Sequence, residues 1–463
     1  MSVFARERAS GTMDRMSSRT SSPVLILLTI IIVLYAGIGT SYAVLTPVWQ
    51  VPDEPAHYNY VRSLAEGRGF PILEKGDYDQ AYLRQLTSQG FPAELSVEPL
   101  EYEDHQPPLY YLLATPIYLL SDGAAVALRL FSVLLGVGLL VITFGAVRTI
   151  FPTRPELALM AAAFVAFIPQ HSAMTAGVNN DALAEVAVGG TLWALIGYVR
   201  TGWGNSSELG PRRDRPWHVG LLLAGALLTK TTAYVVVGVA VGAVFIRGYR
   251  ERREWSWIAR QLAWMLVPAL LLSAPWFIRN GLTYGWYDPL GLVRHDAVVQ
   301  GQPRTYEWLA DFGWIGLIKR LIVTTFQSFW GQFGWMAVPL PRRFYQGLAV
   351  LSVVLMAGFF VWLVDRRRAY TTGPLVSHPI SLLALSAILT FLAYGWYNLS
   401  YVQHQGRYLY PALIPLATAV ALGLDTVSRL LPEDLRPWVL EAFFVSLAAF
   451  DVYCLFRVIV PNL

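Results

Sequence analysis

The stretch that decides the fold is PVLILLTIIIVLYAGIGTSYAVL, residues 23–45, which is followed closely by VPDEPAHYNY, residues 51–60. The first segment carries no charged side chain, and about 20 apolar residues in a helix are enough to cross the hydrocarbon core of a bilayer. It is longer than the apolar part of a secretion signal, and no small-residue cleavage site clearly follows it. We therefore interpret it as an uncleaved membrane span that leads directly into an acidic segment.

The composition of the whole chain points the same way. Of 463 residues, 55% are apolar and only 14% are charged, whereas soluble domains carry about 25% charged residues. The mean hydropathy is +0.45. These values exclude soluble enzymes, disordered chains and collagen-like chains. Cys454 is the single cysteine, which excludes a disulfide framework and a CxxC metal site. An all-α polytopic membrane protein remains, and no basic patch predicts a nucleic-acid partner.

The apolar pattern predicts about eleven transmembrane helices. The spans after 23–45 are expected at 127–147, 157–174, 181–199, 217–229, 232–246, 258–277, 346–364, 379–397, 409–427 and 438–457. Lys230 separates the fifth from the sixth. The segment PPLYYLLATPIYLL, residues 107–120, is apolar but short and interrupted by proline. We expect it to lie along the membrane interface or to re-enter, and not to cross.

Basic residues predict the orientation of these spans. If residues 1–22 form a cytoplasmic tail, the short loops on that side hold 20 of the 35 Lys and Arg residues, as the positive-inside rule requires. Residues 23–463 then form one transmembrane domain with two long outward-facing loops, 46–126 and 278–345, which carry interfacial helices. The bias toward arginine suggests a bacterial source, and hence a bacterial plasma membrane with the N-terminus inside and the reaction site outside.

Acidic and histidine side chains cluster at the predicted outer ends of the spans. Asp53 and Glu54 precede a predicted surface helix, where Asp53 could simply cap the helix. The segment EYEDHQPPLYY, residues 101–111, supplies Glu103, Asp104 and His105. These three could bind a divalent metal or orient a base, or they could belong to a solvated acidic loop.

A second acidic cluster occurs in AGVNNDALAEV, residues 176–186. Asp181 is placed at the outer mouth of a span, and Glu185 lies one helical turn deeper on the same face. A carboxylate at that depth is costly unless it faces a polar cavity. The alternative is that Asp181 only caps its helix.

Three cations also fall on the predicted outer side, namely Lys230, Arg279 and Arg407, the last followed by Tyr408. Arginine offers a bidentate fork and lysine a point charge, so together they suit a phosphate ligand. The alternative is that each one is an interface anchor that extends its charge to the bilayer surface.

The order of these motifs resembles the GT-C superfamily of glycosyltransferases. A first span followed by an Asp-Glu pair, then HQPPLYYLL, NNDA and GRYLYPALIPLA, is most similar to the bacterial branch related to protein O-mannosyltransferases and lipid A aminoarabinose transferases. The resemblance implies the GT-C fold and a polyprenyl-phosphate-linked sugar as donor substrate. It also implies that Asp53 and Asp181 occupy acidic positions of the site, and that Lys230 and Arg407 bind the donor phosphate. Metal dependence varies within that superfamily.

The resulting hypothesis is an inverting transfer to a lipid, glycan or protein acceptor on the extracytoplasmic face. Asp53 would deprotonate or orient the acceptor. Lys230, Arg407 and Arg279, with Tyr408 beside them, would neutralise the leaving phosphate. The remaining candidates, which would shape the site or bind a metal, are Glu54, Asp181 and His105. We expect Asp53, Asp181, Lys230 and Arg407 to line one cavity.

Three other functions remain open at this point. An O-antigen-ligase-like or polymerase-like enzyme also uses polyprenyl-linked sugars, but it does not need the Asp53–Glu54 pair. A lipid or solute transporter needs inverted repeats and polar pairs near mid-membrane, and neither is visible in the sequence. A non-catalytic assembly subunit would tolerate loss of every acidic side chain.

Overall fold

The computed structural model describes residues 4–200, 216–369 and 377–463, and within them the chain is almost entirely helical. The helices before the first gap are α1 (Phe4–Leu45), α2 (Glu54–Ala65), α3 (Gln80–Ser88), α4 (Leu109–Leu120), α5 (Ala125–Ile150), α6 (Pro155–Ala166), α7 (Pro169–Thr175) and α8 (Asp181–Arg200). The remaining ones are α9 (Trp217–Leu227), α10 (Val235–Arg250), α11 (Trp255–Tyr284), α12 (Leu292–Val298), α13 (Thr305–Trp330), α14 (Arg342–Ala369), α15 (Ser377–Ser400), α16 (Leu413–Ser428) and α17 (Arg436–Tyr453).

Short elements complete the chain. Two 3-10 helices, Thr231–Tyr234 and Gly406–Ala412, lead into α10 and α16, and a π-helix, Cys454–Ile459, follows α17. The strands β1 (Gln332–Phe333) and β2 (Val338–Pro339) form a small antiparallel hairpin in which Gln332 pairs with Pro339. The predicted all-α class is therefore confirmed.

The number of spans is the main correction to the sequence-based prediction. Nine helices in the described part of the chain are long and apolar enough to cross a membrane, or ten if a bent pair is counted as one span. That pair is α6 and α7, which meet at an angle of 66° where a single span, 157–174, was predicted. The predicted span 217–229 contains only the 11-residue helix α9, which is too short to cross a bilayer core alone. A count of eleven is not confirmed.

The two long segments between spans contain short helices. Segment 46–126 contains α2, α3 and α4, and α4 is a 12-residue apolar helix with Pro116 inside it. Segment 278–345 contains α12, the hairpin and α13, which bends at Gly313 (φ 64°). Residues 1–3 of the predicted tail, and the loop containing Arg212, Arg213 and Arg215, lie outside the described residues. The orientation of the termini stays a prediction.

Small residues let the membrane helices approach closely. Nine of the twelve residues of α6 are buried, and most of them are alanine. A Cβ atom on Gly423 of α16 would lie 2.0 Å from the carbonyl oxygen of Leu355 in α14, and one on Gly358 of α14 would lie 2.4 Å from that of Gly423. Two glycines thus allow the backbones of α14 and α16 to touch, as is typical of membrane helix pairs. This packing holds the C-terminal half of α16 against α14.

Candidate active site

Asp53 occupies the position before α2 in a left-handed backbone conformation, with φ 67°. Its side chain makes no capping hydrogen bond, so the simple capping alternative is wrong. One carboxylate oxygen, Oδ1, accepts a hydrogen bond of 2.9 Å from the Tyr102 hydroxyl. The other, Oδ2, lies 2.5 Å from Nη2 of Arg407. Aspartate tolerates the left-handed region better than most residues, and this backbone geometry turns the carboxylate away from the helix and toward Arg407.

Glu54, the next residue, has a different environment. Its side chain is 0% exposed and lies against Arg129 of α5, with an Nη2–Oε2 distance of 2.6 Å and an Nε–Oε1 distance of 2.7 Å. The backbone amides of Trp49 and Val178 also donate to it. Arg129 in turn donates to the backbone carbonyls of Ala43, Thr46 and Pro47. Glu54 therefore holds the turn between α1 and α2, and its oxygens are engaged.

A cavity of about 350 Å³ opens beside Asp53. Its polar lining includes Asp53, Glu103 and Arg407, and aromatic rings surround these charges. The further lining residues that matter for the shape of this cavity are Tyr78, Tyr102, His295, Trp335, Tyr397, Gln405 and Tyr408. Its size and its mixture of aromatic and polar groups suit a small polar ligand. We call it the Asp53 cavity.

Arg407 is the least satisfied charged group at this site. Its side chain is only 7% exposed, and its Nε and Nη1 atoms are buried with no hydrogen-bond partner. Nη2 alone is paired, with Asp53. A buried donor without a partner costs roughly 1–3 kcal/mol, and more when it is charged. Two unpaired donors on one planar fork therefore indicate an anionic ligand at this position.

Lys230 and Asp181 form a second ion pair, with an Nζ–Oδ1 distance of 2.6 Å. Lys230 stands between α9 and the 3-10 helix Thr231–Tyr234. The backbone amide of Asp181 donates a hydrogen bond to the Asn179 side chain. The Asp181 carboxylate pairs instead with Lys230. Asp181 lines a smaller cavity together with Glu185, Arg407 and Tyr408. Glu185 lies 2.8 Å from Nε2 of His171.

The structure therefore does not place the four expected residues in one cavity: three of them line two adjoining cavities, and Lys230 lines neither and is joined to the smaller one through its ion pair with Asp181. Asp53 lines the larger cavity and Asp181 the smaller one. Arg407 and Tyr408 line both, so they form the wall that the two cavities share. Tyr408 contributes its ring, whose centroid lies 5.2 Å from the Arg407 guanidinium carbon.

The predicted metal site does not form. Glu103 lines the Asp53 cavity, Asp104 is buried, and the His105 ring packs against His295 with centroids 4.6 Å apart. Among the described residues, no group of three or more His, Cys, Asp or Glu side chains could hold a metal ion. Within the described ranges, the predicted set of Glu103, Asp104 and His105 therefore does not fit a metal ion.

Arg279 is likewise placed elsewhere. Its guanidinium donates to the backbone carbonyls of Phe70 and Pro71 and to the Asn280 side chain. It also stacks over the Trp276 ring at 4.9 Å. Arg279 does not line either of the two cavities, and it ties segment 46–126 to α11.

Two carboxyl groups of the Asp53 cavity have opposite pKa shifts. Burial acts to raise the pKa of Asp53, but the adjacent Arg407, with His57, outweighs burial and lowers that pKa to about 2. For Glu103, burial and the negative charge of Asp53 raise the pKa to about 7, against the opposing effects of Lys230, Gln106 and Arg407. Near neutral pH, Asp53 is therefore a fixed anion, whereas Glu103 exchanges its proton.

Several residues of the site were missed by the sequence-based prediction. Arg129 had a visible signal, because an arginine inside the otherwise apolar span 127–147 needs a buried partner. Tyr102, His295 and Gln405 had no comparable signal. Tyr102 donates to Asp53 from 49 residues away, and His295 and Gln405 come from other distant segments to line the same cavity.

Known proteins provide an independent comparison. A family model described as a predicted membrane protein family, DUF2142, matches residues 97–416. No curated protein sequence matches the chain.

Solved structures give matches over most of the chain. ArnT from Cupriavidus metallidurans, in crystal structures bound to undecaprenyl phosphate and in the apo state, has a TM-score of 0.52 in both. These matches have 15% and 14% identity and cover 95% and 96% of this chain and 74% of each ArnT chain. The archaeal oligosaccharyltransferase AglB from Archaeoglobus fulgidus, in complex with an inhibitory peptide and a dolichol-phosphate, has a TM-score of 0.48 at 15% identity, over 93% of this chain and 54% of that one.

The chain thus spans about half the length of the archaeal enzyme. At these identities the likeness shows the fold alone, and it is the GT-C fold expected from the sequence motifs. The family model covers well over half of the chain. The chain thus has the GT-C fold, and by sequence it belongs to the DUF2142 family of predicted membrane proteins.

Proposed function

We propose that this chain is a membrane glycosyltransferase that takes a sugar from a polyprenyl-phosphate donor and passes it to an acceptor on the extracytoplasmic face of a bacterial plasma membrane. The observation that carries the proposal is Arg407. It is buried, it has two donors without partners, and it lines both cavities. A phosphate monoester anion would satisfy both donors at once.

The donor phosphate would lie against Arg407, with Lys230 close by. Lys230 is buried and paired with Asp181, so its charge is held in place before any ligand arrives. Fixed cations in a site that excludes water stabilise a developing anion without reorganisation. ArnT, whose fold this chain shares, was crystallised with undecaprenyl phosphate, which supports this ligand class.

Asp53 would orient the reacting groups, and it would not accept the proton of the acceptor hydroxyl. Both of its oxygens are occupied, by Tyr102 and by Arg407, and its low pKa makes it a weak base. We propose that Asp53 fixes the Arg407 fork so that Nε and Nη1 face the phosphate. The acceptor hydroxyl would then attack the anomeric carbon from the side opposite the phosphate, with inversion.

The test uses the full-length protein in lipid nanodiscs with synthetic undecaprenyl-phosphate-linked hexoses and pentoses, one donor at a time. A total membrane extract that contains lipids, glycans and proteins serves as the acceptor. Mass spectrometry measures the release of undecaprenyl phosphate, or of undecaprenyl diphosphate when a diphosphate donor is used. We expect release from at least one monophosphate donor. The matched control donors are the same sugars on undecaprenyl diphosphate. Release from the diphosphate donors alone would favour the ligase-like alternative, and release from none would overturn the proposal.

A further inference from the structure

Glu103 is the carboxylate of the Asp53 cavity that the preceding proposal leaves without a role. It lies in the turn between α3 and α4, and it lines the same cavity as Asp53 and Arg407. Its Oε2 atom is buried and has no hydrogen-bond partner. A buried hydrogen-bond acceptor without a partner destabilises a folded protein. The unpaired Oε2 atom is therefore explained best by a ligand group that donates a hydrogen bond to it.

The other carboxylates of the two cavities are already engaged. Asp53 is held by Tyr102 and Arg407, Asp181 by Lys230, and Glu185 lies against His171. These four carboxylates all lie within the described ranges. Of the four, Glu103 has a buried oxygen without a hydrogen-bond partner, and the other three do not. An acceptor that enters the Asp53 cavity would therefore find one carboxylate oxygen free to receive its proton.

We propose that Glu103 is the general base of the transfer reaction. This inference rests on the proposed function. The acceptor O–H donates to the Glu103 carboxylate while its oxygen forms a bond to the anomeric carbon of the sugar. The bond from that carbon to the phosphate oxygen breaks, and its electron pair leaves with the polyprenyl phosphate, which Arg407 binds. Glu103 keeps the proton as a neutral carboxylic acid and releases it to water after the products leave.

The surroundings of Glu103 bring its pKa close to neutral pH, as a general base requires. Burial and Asp53 raise its pKa to about 7, while Lys230, Gln106 and Arg407 oppose the rise. A base whose pKa lies near the working pH combines a useful deprotonated fraction with adequate basicity. The groups with which Glu103 interacts electrostatically are Asp53, Tyr102, Asp104, Tyr111, Lys230, Tyr397, Arg407 and Tyr408. His295 lines the same cavity.

The experiment compares wild type with Glu103→Gln, using the monophosphate donor and the release assay described above. We expect wild-type kcat/KM to rise with pH and to level off above about 7. Glu103→Gln should lose at least about 100-fold in turnover, within the range that general bases contribute, and the rise with pH should disappear. Its affinity for undecaprenyl phosphate alone should stay within about twofold. The matched control is Glu94→Gln, which changes an exposed carboxylate in the same segment and should behave as wild type.

Each outcome bears on a different claim. Turnover in Glu103→Gln within about threefold of wild type, or an unchanged pH profile, would overturn the role of Glu103 and leave the transferase intact. A wild type that releases no undecaprenyl phosphate would overturn both. If Glu103→Gln does not insert, Glu103→Asp decides: a slower enzyme that keeps its dependence on pH supports the proposal, and an unchanged rate contradicts it.

Discussion

Two neighbouring residues, Asp53 and Glu54, pair with two buried arginines in contrasting ways. The Glu54–Arg129 pair is 0% and 1% exposed, and backbone groups engage both partners further. The Asp53–Arg407 pair borders a cavity of about 350 Å³, Asp53 is 21% exposed, and Arg407 keeps two donors unpaired.

The difference shows how an ion pair in a membrane protein can be assigned a role. A buried pair that satisfies every donor and acceptor has no capacity left for a ligand, so its effect is on the fold. An ion pair that has unpaired hydrogen-bond donors and borders a cavity can still bind a ligand. The Asp-Glu motif therefore combines a residue that anchors the turn with a residue that faces the site.

The largest effect is expected at the anchor. Arg129→Met leaves the Glu54 carboxylate buried without its partner, and breaking such a pair costs about 3–5 kcal/mol. The free energy of unfolding, measured in mixed micelles, should fall by that amount. The double variant Glu54→Met with Arg129→Met should recover part of the loss, because it removes the isolated charge. A single variant as stable as wild type would contradict the anchoring role.

Asp53→Asn should reduce turnover strongly and stability moderately. Asparagine cannot hold the Arg407 fork by charge, and small misplacement at a reacting centre can cost about 100-fold in rate. We expect at least that loss in the release assay, whereas the unfolding free energy should fall by about 2 kcal/mol, the amount that corresponds to the lowered pKa of Asp53. Asp79→Asn is the matched control, because Asp79 caps α3 and asparagine caps equally well. Normal turnover in Asp53→Asn would show that Asp53 does not orient Arg407.

Arg407→Gln should weaken binding of the lipid phosphate. Hydrogen bonds to charged groups contribute roughly 1.5–3 kcal/mol, so affinity for undecaprenyl phosphate should fall at least about 10-fold. Native mass spectrometry of the nanodisc-embedded protein can measure this fall, with undecaprenol as the phosphate-free comparison. Arg84→Gln removes an exposed arginine and should leave the affinity unchanged. Equal affinity in Arg407→Gln would count against Arg407 as the phosphate ligand.

A further effect is a dependence of stability on pH. The folded-state pKa of Glu103 is about 7, above its ordinary value of 4.5, so the folded state binds more protons than the unfolded state between about pH 4.5 and 7. Wild type should therefore lose stability as pH rises through that window. Glu103→Gln carries no charge, so its melting temperature should exceed that of wild type at pH 8 and match it at pH 5. The same difference at both pH values would show that Glu103 does not titrate in this window.

Much of the membrane fold could be predicted from composition and periodicity. The spans 23–45, 181–199 and 379–397 agree closely with the helices observed, because an apolar run of the right length has few other ways to satisfy its backbone in a bilayer. The break between α6 and α7 was missed, although Pro169 and the polar residues Gln170 and His171 interrupt the predicted span 157–174 at the point where the helix bends.

The sequence by itself determined that this is a helical membrane protein with carboxylates and cations near the ends of its spans, because hydropathy and charge act locally along the chain. It also indicated that Asp53, Asp181, Lys230 and Arg407 belong together. Only the tertiary structure decided the pairing. Asp53 forms an ion pair with Arg407, which is 354 residues away in the sequence. Glu54 forms an ion pair with Arg129, and Arg279 donates hydrogen bonds to backbone carbonyls. Which charged side chains pair depends on which of them lie close together once buried. The packing of the helices decides this, and no single segment of the sequence does.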